Sequence, residues 1–311
     1  MRNIIVIGAC GFIGKKILSL IHNKFLNWRV YAIDKNTSNQ LEQYDCNRLI
    51  YMKASSDNIL STLDNIEVDI IIHLGEFSRI NASFANISEV LQSNVIGTIK
   101  VLEFAKMKNA LLVYSASSSV YDINLTDNIN PYTLSKKHNI EWIKRFNSWF
   151  GLRYCILYFY NVYGDGQTSD DKMGTVIGKF MNSYQKRELL QVVSPGTQKR
   201  AFTHIDDTMD AIELIFNKNI SSVIENGLPI AEEYNITSEK EYSIIDVAKM
   251  FNIKNKNTNN NNNNTFDTPN YIIVKGDRVN RMSSDGNADK LHKLGWKCNH
   301  SLMDYIYNNV N

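Results

Sequence analysis

Asn3-Ile-Ile-Val-Ile-Gly-Ala-Cys-Gly-Phe-Ile-Gly14 opens the chain with a short apolar run that breaks into glycines. Such a run suits a strand buried on both faces of a parallel sheet. The spacing of Gly8, Gly11 and Gly14, followed by the helical pattern of Lys15 to His22, predicts a strand–turn–helix unit. In that unit Gly8 permits the tight turn, Gly11 lets the backbone approach a pyrophosphate, and Gly14 lets helix and strand pack closely. The helix N-terminus contributes free N–H groups and the positive end of its dipole. Arg29-Val-Tyr-Ala-Ile-Asp34 reads as the next strand and ends in an acid about twenty residues after Gly14. A carboxylate there accepts both adenosine ribose hydroxyls and repels a 2′-phosphate, which favours NAD over NADP. Lys35, next in the chain, tempers that preference.

Outward from this unit, strands are predicted at Leu49–Met52, Asp69–His73, Ala110–Ser115 and Tyr154–Phe159, with helices over Ser88–Lys108 and Pro131–Phe150. The alternation implies an α/β fold, a Rossmann-type doubly wound parallel sheet that binds ligands at the carboxyl ends of its strands. Beyond Asn161 the pattern loosens. Helices are expected over Thr175–Leu190, Asp206–Asn217, Ser243–Phe251 and Asp289–Leu294, and extended segments at Leu190–Val193 and Tyr271–Val274. This divides the chain into a dinucleotide-binding domain over 1–165 and a smaller α/β C-terminal substrate lobe over 166–311, with some later segments returning to the first domain. Asn is about one residue in eight, and the tract near 255–265, almost pure Asn from Asn257 to Asn264, reads as a flexible surface loop.

Composition narrows the class. The 311 residues are 43% hydrophobic and 21% charged, as in an ordinary globular enzyme, and the net charge of +2 with scattered Lys and Arg argues against a nucleic-acid partner. Cys10, Cys46, Cys155 and Cys298 are far apart and form no metal or disulfide framework, which fits a reduced, cytoplasmic setting. No apolar run is long enough for a signal peptide or a membrane crossing.

Tyr132-Thr-Leu-Ser-Lys136 places a phenol and an ammonium one helical turn apart. A free tyrosine, with a pKa near 10, is a poor base at neutral pH. A neighbouring positive charge stabilises the phenolate and makes it a usable one. The same lysine can reach ribose hydroxyls of a nicotinamide cofactor. Ser115-Ala-Ser-Ser-Ser-Val-Tyr121 sets small hydroxyls at a strand's carboxyl end, where they can donate to a substrate oxygen. Asn94, amid apolar neighbours, is expected to hold the backbone of an adjacent active-site strand, and Gly75 to allow close approach of a cofactor. Glu76, Ser78 and Arg79 follow and are expected to face the substrate.

With these segments, and with Asn161-Val-Tyr-Gly164, Arg200-Ala-Phe-Thr-His-Ile-Asp-Asp207 and Leu294-Gly-Trp296, the chain resembles the extended short-chain dehydrogenase/reductase family, in its nucleotide-sugar epimerase and dehydratase branch, UDP-glucose 4-epimerase-like members included. The resemblance implies a catalytic triad of Ser117, Tyr132 and Lys136, with Ser118 and Ser119 as neighbouring candidates for the first position. It implies an NAD site at Gly8, Gly11, Phe12, Ile13, Gly14, Asp34, Gly75, Asn94, Tyr132 and Lys136, and a substrate site at Glu76, Ser78, Arg79, Ser118, Asn161, Arg200 and Arg278. Guanidinium groups suit the diphosphate because they pair with its oxygens in a bidentate fork.

Two departures matter. Family 4,6-dehydratases carry Asp-Glu after the catalytic hydroxyl, where this chain has Ser118 and Ser119, neither a useful acid or base near pH 7. Many members carry Arg where this chain has Tyr158, so that phosphate contact falls to Lys275, Arg278 or Arg281. The expected activity is therefore NAD-dependent epimerisation of a nucleotide-linked sugar, a UDP-sugar first, at C4. The alternatives are a 4,6-dehydratase, in which Glu76 is the nearby acid that could stand in for the missing pair, a 4-ketoreductase, or an idle dinucleotide-binding sensor. The resemblance also implies a homodimer through the helices over Ser88–Lys108 and Pro131–Phe150.

Overall fold

Isoleucine and valine carry the central strands, because a strand covered on both faces needs apolar side chains in both directions. The computed structural model describes residues 1–36, 47–121, 129–170, 173–220, 230–251, 270–276, 282–283 and 286–310. Its strands are β1 (Arg2–Ile7), β2 (Trp28–Asp34), β3 (Leu49–Lys53), β4 (Ile70–His73), β5 (Leu111–Ser117), β6 (Tyr154–Phe159), β7 (Val162–Tyr163), β8 (Leu190–Val193), β9 (Lys199–Ala201), β10 (Thr203–His204), β11 (Ala231–Ile236), β12 (Glu241–Ser243) and β13 (Tyr271–Val274). Seven of them form one sheet in the order β11-β6-β5-β4-β1-β2-β3. Every pairing in it is parallel. The order reverses between β1 and β4, which opens a crevice at their carboxyl ends.

Helices α1 (Phe12–Lys24), α2 (Ile59–Leu63), α3 (Ile80–Ala85), α4 (Ile87–Val90), α5 (Gly97–Met107), α6 (Pro131–Phe150), α7 (Val176–Gln185) and α8 (Ile205–Ile215) follow in chain order. Period-two alternation sorts β1 between two cores. Ile4 and Val6 pack with Ile17 and Ile21 of α1 and Ile212 and Ile215 of α8. Ile5 and Ile7 share the opposite core with Val101 of α5 and Ile140 and Ile143 of α6. A third cluster, from Ile177 and Phe180 through Val247 and Phe251 to Ile306, builds a smaller body around the β8–β13 pair. Among the described residues no helix is long and apolar enough to cross a membrane.

The structure departs from the sequence-based expectation at two places. The helix expected over Ser88–Lys108 is interrupted by a wide π-helical turn at Leu91–Ile96, which carries Asn94. Ala231–Ile236, which alternation did not reveal, is the seventh strand of the sheet. Its Glu232 and Glu233 mask it, because an edge strand tolerates charge along its length. The helix over Ile205–Ile215 packs in the core of α1 and β1, as a later segment that returns to the first domain. The Asn-rich tract near 255–265 lies outside the described residues.

Candidate active site

The first turn of the chain folds as a cradle. Gly8 adopts φ +83°, and a Cβ there would meet Gly75 N at 2.8 Å, so β1 and β4 approach too closely for any side chain. At Gly14 a Cβ would lie 2.2 Å from Gly8 O, which is backbone and cannot swing aside. Gly11 sits at the N-cap of α1 and offers no side-chain cap, leaving the helix N-terminus open. Phe12 and Ile13 begin that helix, half-buried. Asp34 ends β2, and its carboxylate accepts from Cys10 N at 2.9 Å, which places the acid on the glycine turn. Lys35 turns away to pair with Glu89 of α4. A turn without side chains, an open helix end and an acid beside it fit a dinucleotide.

Helix α6 delivers the reacting pair. Asn130 caps it by accepting from Thr133 N at 2.8 Å, and Pro131 occupies the first turn. Tyr132 and Lys136 follow one turn apart, and both are buried. The Lys136 ammonium donates to Ser115 O of β5 and lies 4.8 Å from the centre of the Tyr114 ring. Ser117 ends β5, and its Oγ accepts from Ser119 N at 3.2 Å. Ser118 is buried beside it.

Glu76 differs from expectation. Its side chain is 1% exposed and turns inward to place Oε2 2.8 Å from Lys136 Nζ. The same carboxylate accepts from Thr98 Oγ1 at 2.7 Å, from Asn139 Nδ2 at 3.2 Å and from Tyr114 OH at 3.3 Å. His73 Nε2 lies 3.0 Å from Thr98 Oγ1 and 3.5 Å from Glu76 Oε1. Because the Thr98 hydroxyl donates to Glu76, Nε2 of His73 is assigned as the protonated nitrogen. Burial pushes the His73 imidazole down to about 4, with Glu76 opposing and Lys136 adding to the shift. Burial, then the Glu76 charge, pushes the Tyr114 phenol well above its ordinary value.

Asn94 is corrected as a cofactor contact only. It is fully buried: Oδ1 accepts from Phe77 N at 2.7 Å, and Nδ2 donates to Phe77 O at 3.0 Å and to Ser135 Oγ at 3.0 Å. These bonds use both amide hydrogens, so Asn94 holds the loop after β4 against α6 instead of touching a cofactor. Ser78 is exposed and accepts from Arg79 Nη1 at 3.2 Å, while Arg79 Nε donates to Met173 O at 2.5 Å and draws the 173–175 segment toward the site. Burial lowers the Arg79 guanidinium from its ordinary value, with Tyr132 and Asp170 opposing.

At the far end, Asn161 (φ +37°) donates from Nδ2 to Ala201 O at 2.9 Å, which brings it beside Arg200 on β9. Tyr158 is buried and donates to Glu233 Oε2 of β11 at 2.7 Å, so it belongs to the sheet and not to a phosphate site. Lys275 is exposed just after β13, while Arg278 and Arg281 lie outside the described residues. Sequence reasoning missed Thr98, Tyr114 and Asn139. One signal was available: Tyr132, Ser135, Lys136 and Asn139 interrupt the same face of α6 that carries the buried Ile140 and Ile143.

The family described as NAD-dependent epimerase/dehydratase matches residues 4–236. A Methanocaldococcus jannaschii protein provisionally named UDP-glucose 4-epimerase is 29% identical over 99% of this chain and 97% of its own length. The dTDP-D-glucose 4,6-dehydratase of Dictyostelium discoideum is 27% identical over 80% of this chain, which spans 61% of that protein. Among solved structures, UDP-glucuronic acid 4-epimerase from Bacillus cereus, in complex with UDP-glucuronic acid and NAD, superposes with a TM-score of 0.81 at 20% identity, covering 99% of this chain and 98% of that one. At that identity the likeness speaks to the fold.

Proposed function

The chain belongs to the NAD-dependent epimerase/dehydratase family, and from that membership we propose that it epimerises a nucleotide-linked sugar, at C4. NAD, when bound, supplies the acceptor for the hydride that leaves the sugar carbon and the donor that returns it. Gly8, Gly11, Phe12, Ile13, Gly14 and Gly75 would cradle its pyrophosphate half, and Asp34 its adenosine ribose. Tyr132 accepts the proton of the sugar hydroxyl and later gives it back, with Ser117 bonded to the same oxygen. Lys136 supplies the positive charge that favours the phenolate. The ketose formed in between must turn over in the crevice before the proton returns. Ser78, Arg79 and Ser118 would face the sugar, and Asn161 and Arg200 the diphosphate.

The observation that carries epimerisation over dehydration is the place of Glu76. Dehydration needs an acid for the leaving hydroxyl and a base for the adjacent carbon. Positions 118 and 119 are serines, and the carboxylate of Glu76 is buried and committed to Lys136, Thr98 and Asn139. The 4,6-dehydratase reading keeps support from the Dictyostelium relative. A UDP-sugar is favoured by the B. cereus neighbour, whose structure holds one. A homodimer through α5 and α6 is part of the same reading, supported by the exposure of Met107, Trp142, Trp149 and Phe150 on those helices.

The test is incubation of the NAD-loaded protein with UDP-, GDP-, CDP- and dTDP-sugars, followed by NMR of the products. An inverted C4 centre is the expected result. A product lacking the C6 hydroxyl would make the protein a dehydratase.

A further inference from the structure

We propose that Glu76 is a positioning residue for the base at Tyr132: its buried carboxylate fixes the Lys136 ammonium and offsets the charge that the ammonium presents to the phenol. The inference rests on the reading of Tyr132 and Lys136 as the reacting pair. Lys136 and Glu76 are 4% and 1% exposed at the side chain and 2.8 Å apart. Of the three ammonium hydrogens, one faces Glu76 and one Ser115 O, which leaves one for the crevice. The ammonium therefore has a single working direction.

Among the described residues, the groups other than Lys136 that touch the Glu76 carboxylate carry no charge. From β4 comes His73, kept neutral by burial. From β5 comes Tyr114, kept protonated by burial. Thr98 of α5 and Asn139 of α6 are uncharged donors to the carboxylate. Among the described residues Arg79 also interacts electrostatically with Tyr132, and it is tied to Ser78 and Met173. Glu76 thus has five donor groups around it in a buried place. With the carboxylate in contact, part of the ammonium's charge is offset before it acts on Tyr132. The pH at which it becomes a base is then set jointly by Lys136 and Glu76.

Glu76→Gln keeps the shape of the side chain and removes its charge. The phenolate is then favoured at lower pH, so the acid limb of the turnover profile moves toward acid. The ammonium, without its carboxylate, gives up its proton more readily, so the alkaline limb moves the same way. Both limbs are expected to shift down by about one pH unit. A residue that merely supports the fold would lower turnover and leave the limbs in place, and limbs that stay put or move apart overturn the proposal.

The second readout is unfolding of Glu76→Gln, Lys136→Met and the double variant. A double variant that recovers stability, or that folds where Glu76→Gln does not, supports the buried pair. Losses that simply add, or a double variant no better folded than the single ones, overturn it. If the wild-type protein turns over none of the nucleotide sugars, the functional reading falls separately, and the unfolding cycle alone decides the pairing.

Discussion

Asn94 clasps the backbone of Phe77 from both sides, accepting from its N–H at 2.7 Å and donating to its carbonyl at 3.0 Å. The clasp forms because the π-helical turn at Leu91–Ile96 directs Asn94 at the loop after β4, where it also reaches Ser135 of α6. One side chain thereby holds together the loop that carries Glu76 and the helix that carries Tyr132. Asn94→Ala removes three buried hydrogen bonds, leaving Phe77 N with Ser93 Oγ at 3.3 Å and Ser135 Oγ with Tyr132 O at 2.8 Å, at a cost of about 2–5 kcal/mol. Urea unfolding should show this loss. The stability of Asn94→Ala should fall well below that of a surface Asn→Ala control, and parity between the two would refute the clasp.

Gly14→Ala tests the cradle. The added Cβ would lie 2.2 Å from Gly8 O and 2.9 Å from Ala9 O, so the first turn must open. NAD affinity measured by calorimetry is expected to drop by about 100-fold or more, because the turn that receives the pyrophosphate is displaced. Unchanged affinity would remove the pyrophosphate from this turn.

Asp34→Ala tests the choice of cofactor. The wild-type protein is expected to bind NAD more tightly than NADP, and the variant to narrow that ratio by about 10-fold or more. Equal binding of both cofactors by the wild-type protein would contradict the role given to Asp34.

Tyr132→Phe should lower turnover by about 10²–10⁴-fold, the usual contribution of a positioned base, while NAD still binds. The phenyl ring keeps the packing of a residue that is 8% exposed, so folding should survive. A fully active variant would displace Tyr132 from the mechanism.

The pH dependence of stability should carry the mark of His73, whose imidazole is pushed from 6.5 to about 4 by burial. Between these values the unfolded chain binds a proton that the folded chain refuses, so stability rises with pH across the window. The contribution is complete above the unfolded value and lost as pH falls toward 4, with a span of about 3 kcal/mol. Urea unfolding at a series of pH values checks it. His73→Asn should flatten the slope between pH 4 and 6.5, and an unchanged slope would assign the titration to another group.

Several parts of this protein were legible before any tertiary contact was known. The apolar run into Gly8, Gly11 and Gly14, the acid at Asp34, and the span of α6 from Pro131 to Phe150 all follow from local rules, because each signal and its consequence lie within one element or its neighbour. The pairing of Tyr132 with Lys136 one turn later is of the same kind. The tertiary structure alone decided where the polar groups point. Glu76 meets Lys136 from 60 positions away and Asn139 from 63. Asn94 meets Ser135 from 41 positions away, and Tyr158 meets Glu233 from 75. A loop glutamate after a strand reads the same whether it faces water or an ammonium. The difference is made by the close approach of β4, β5 and α6, which removes the water and leaves the lysine as the charge that can balance it.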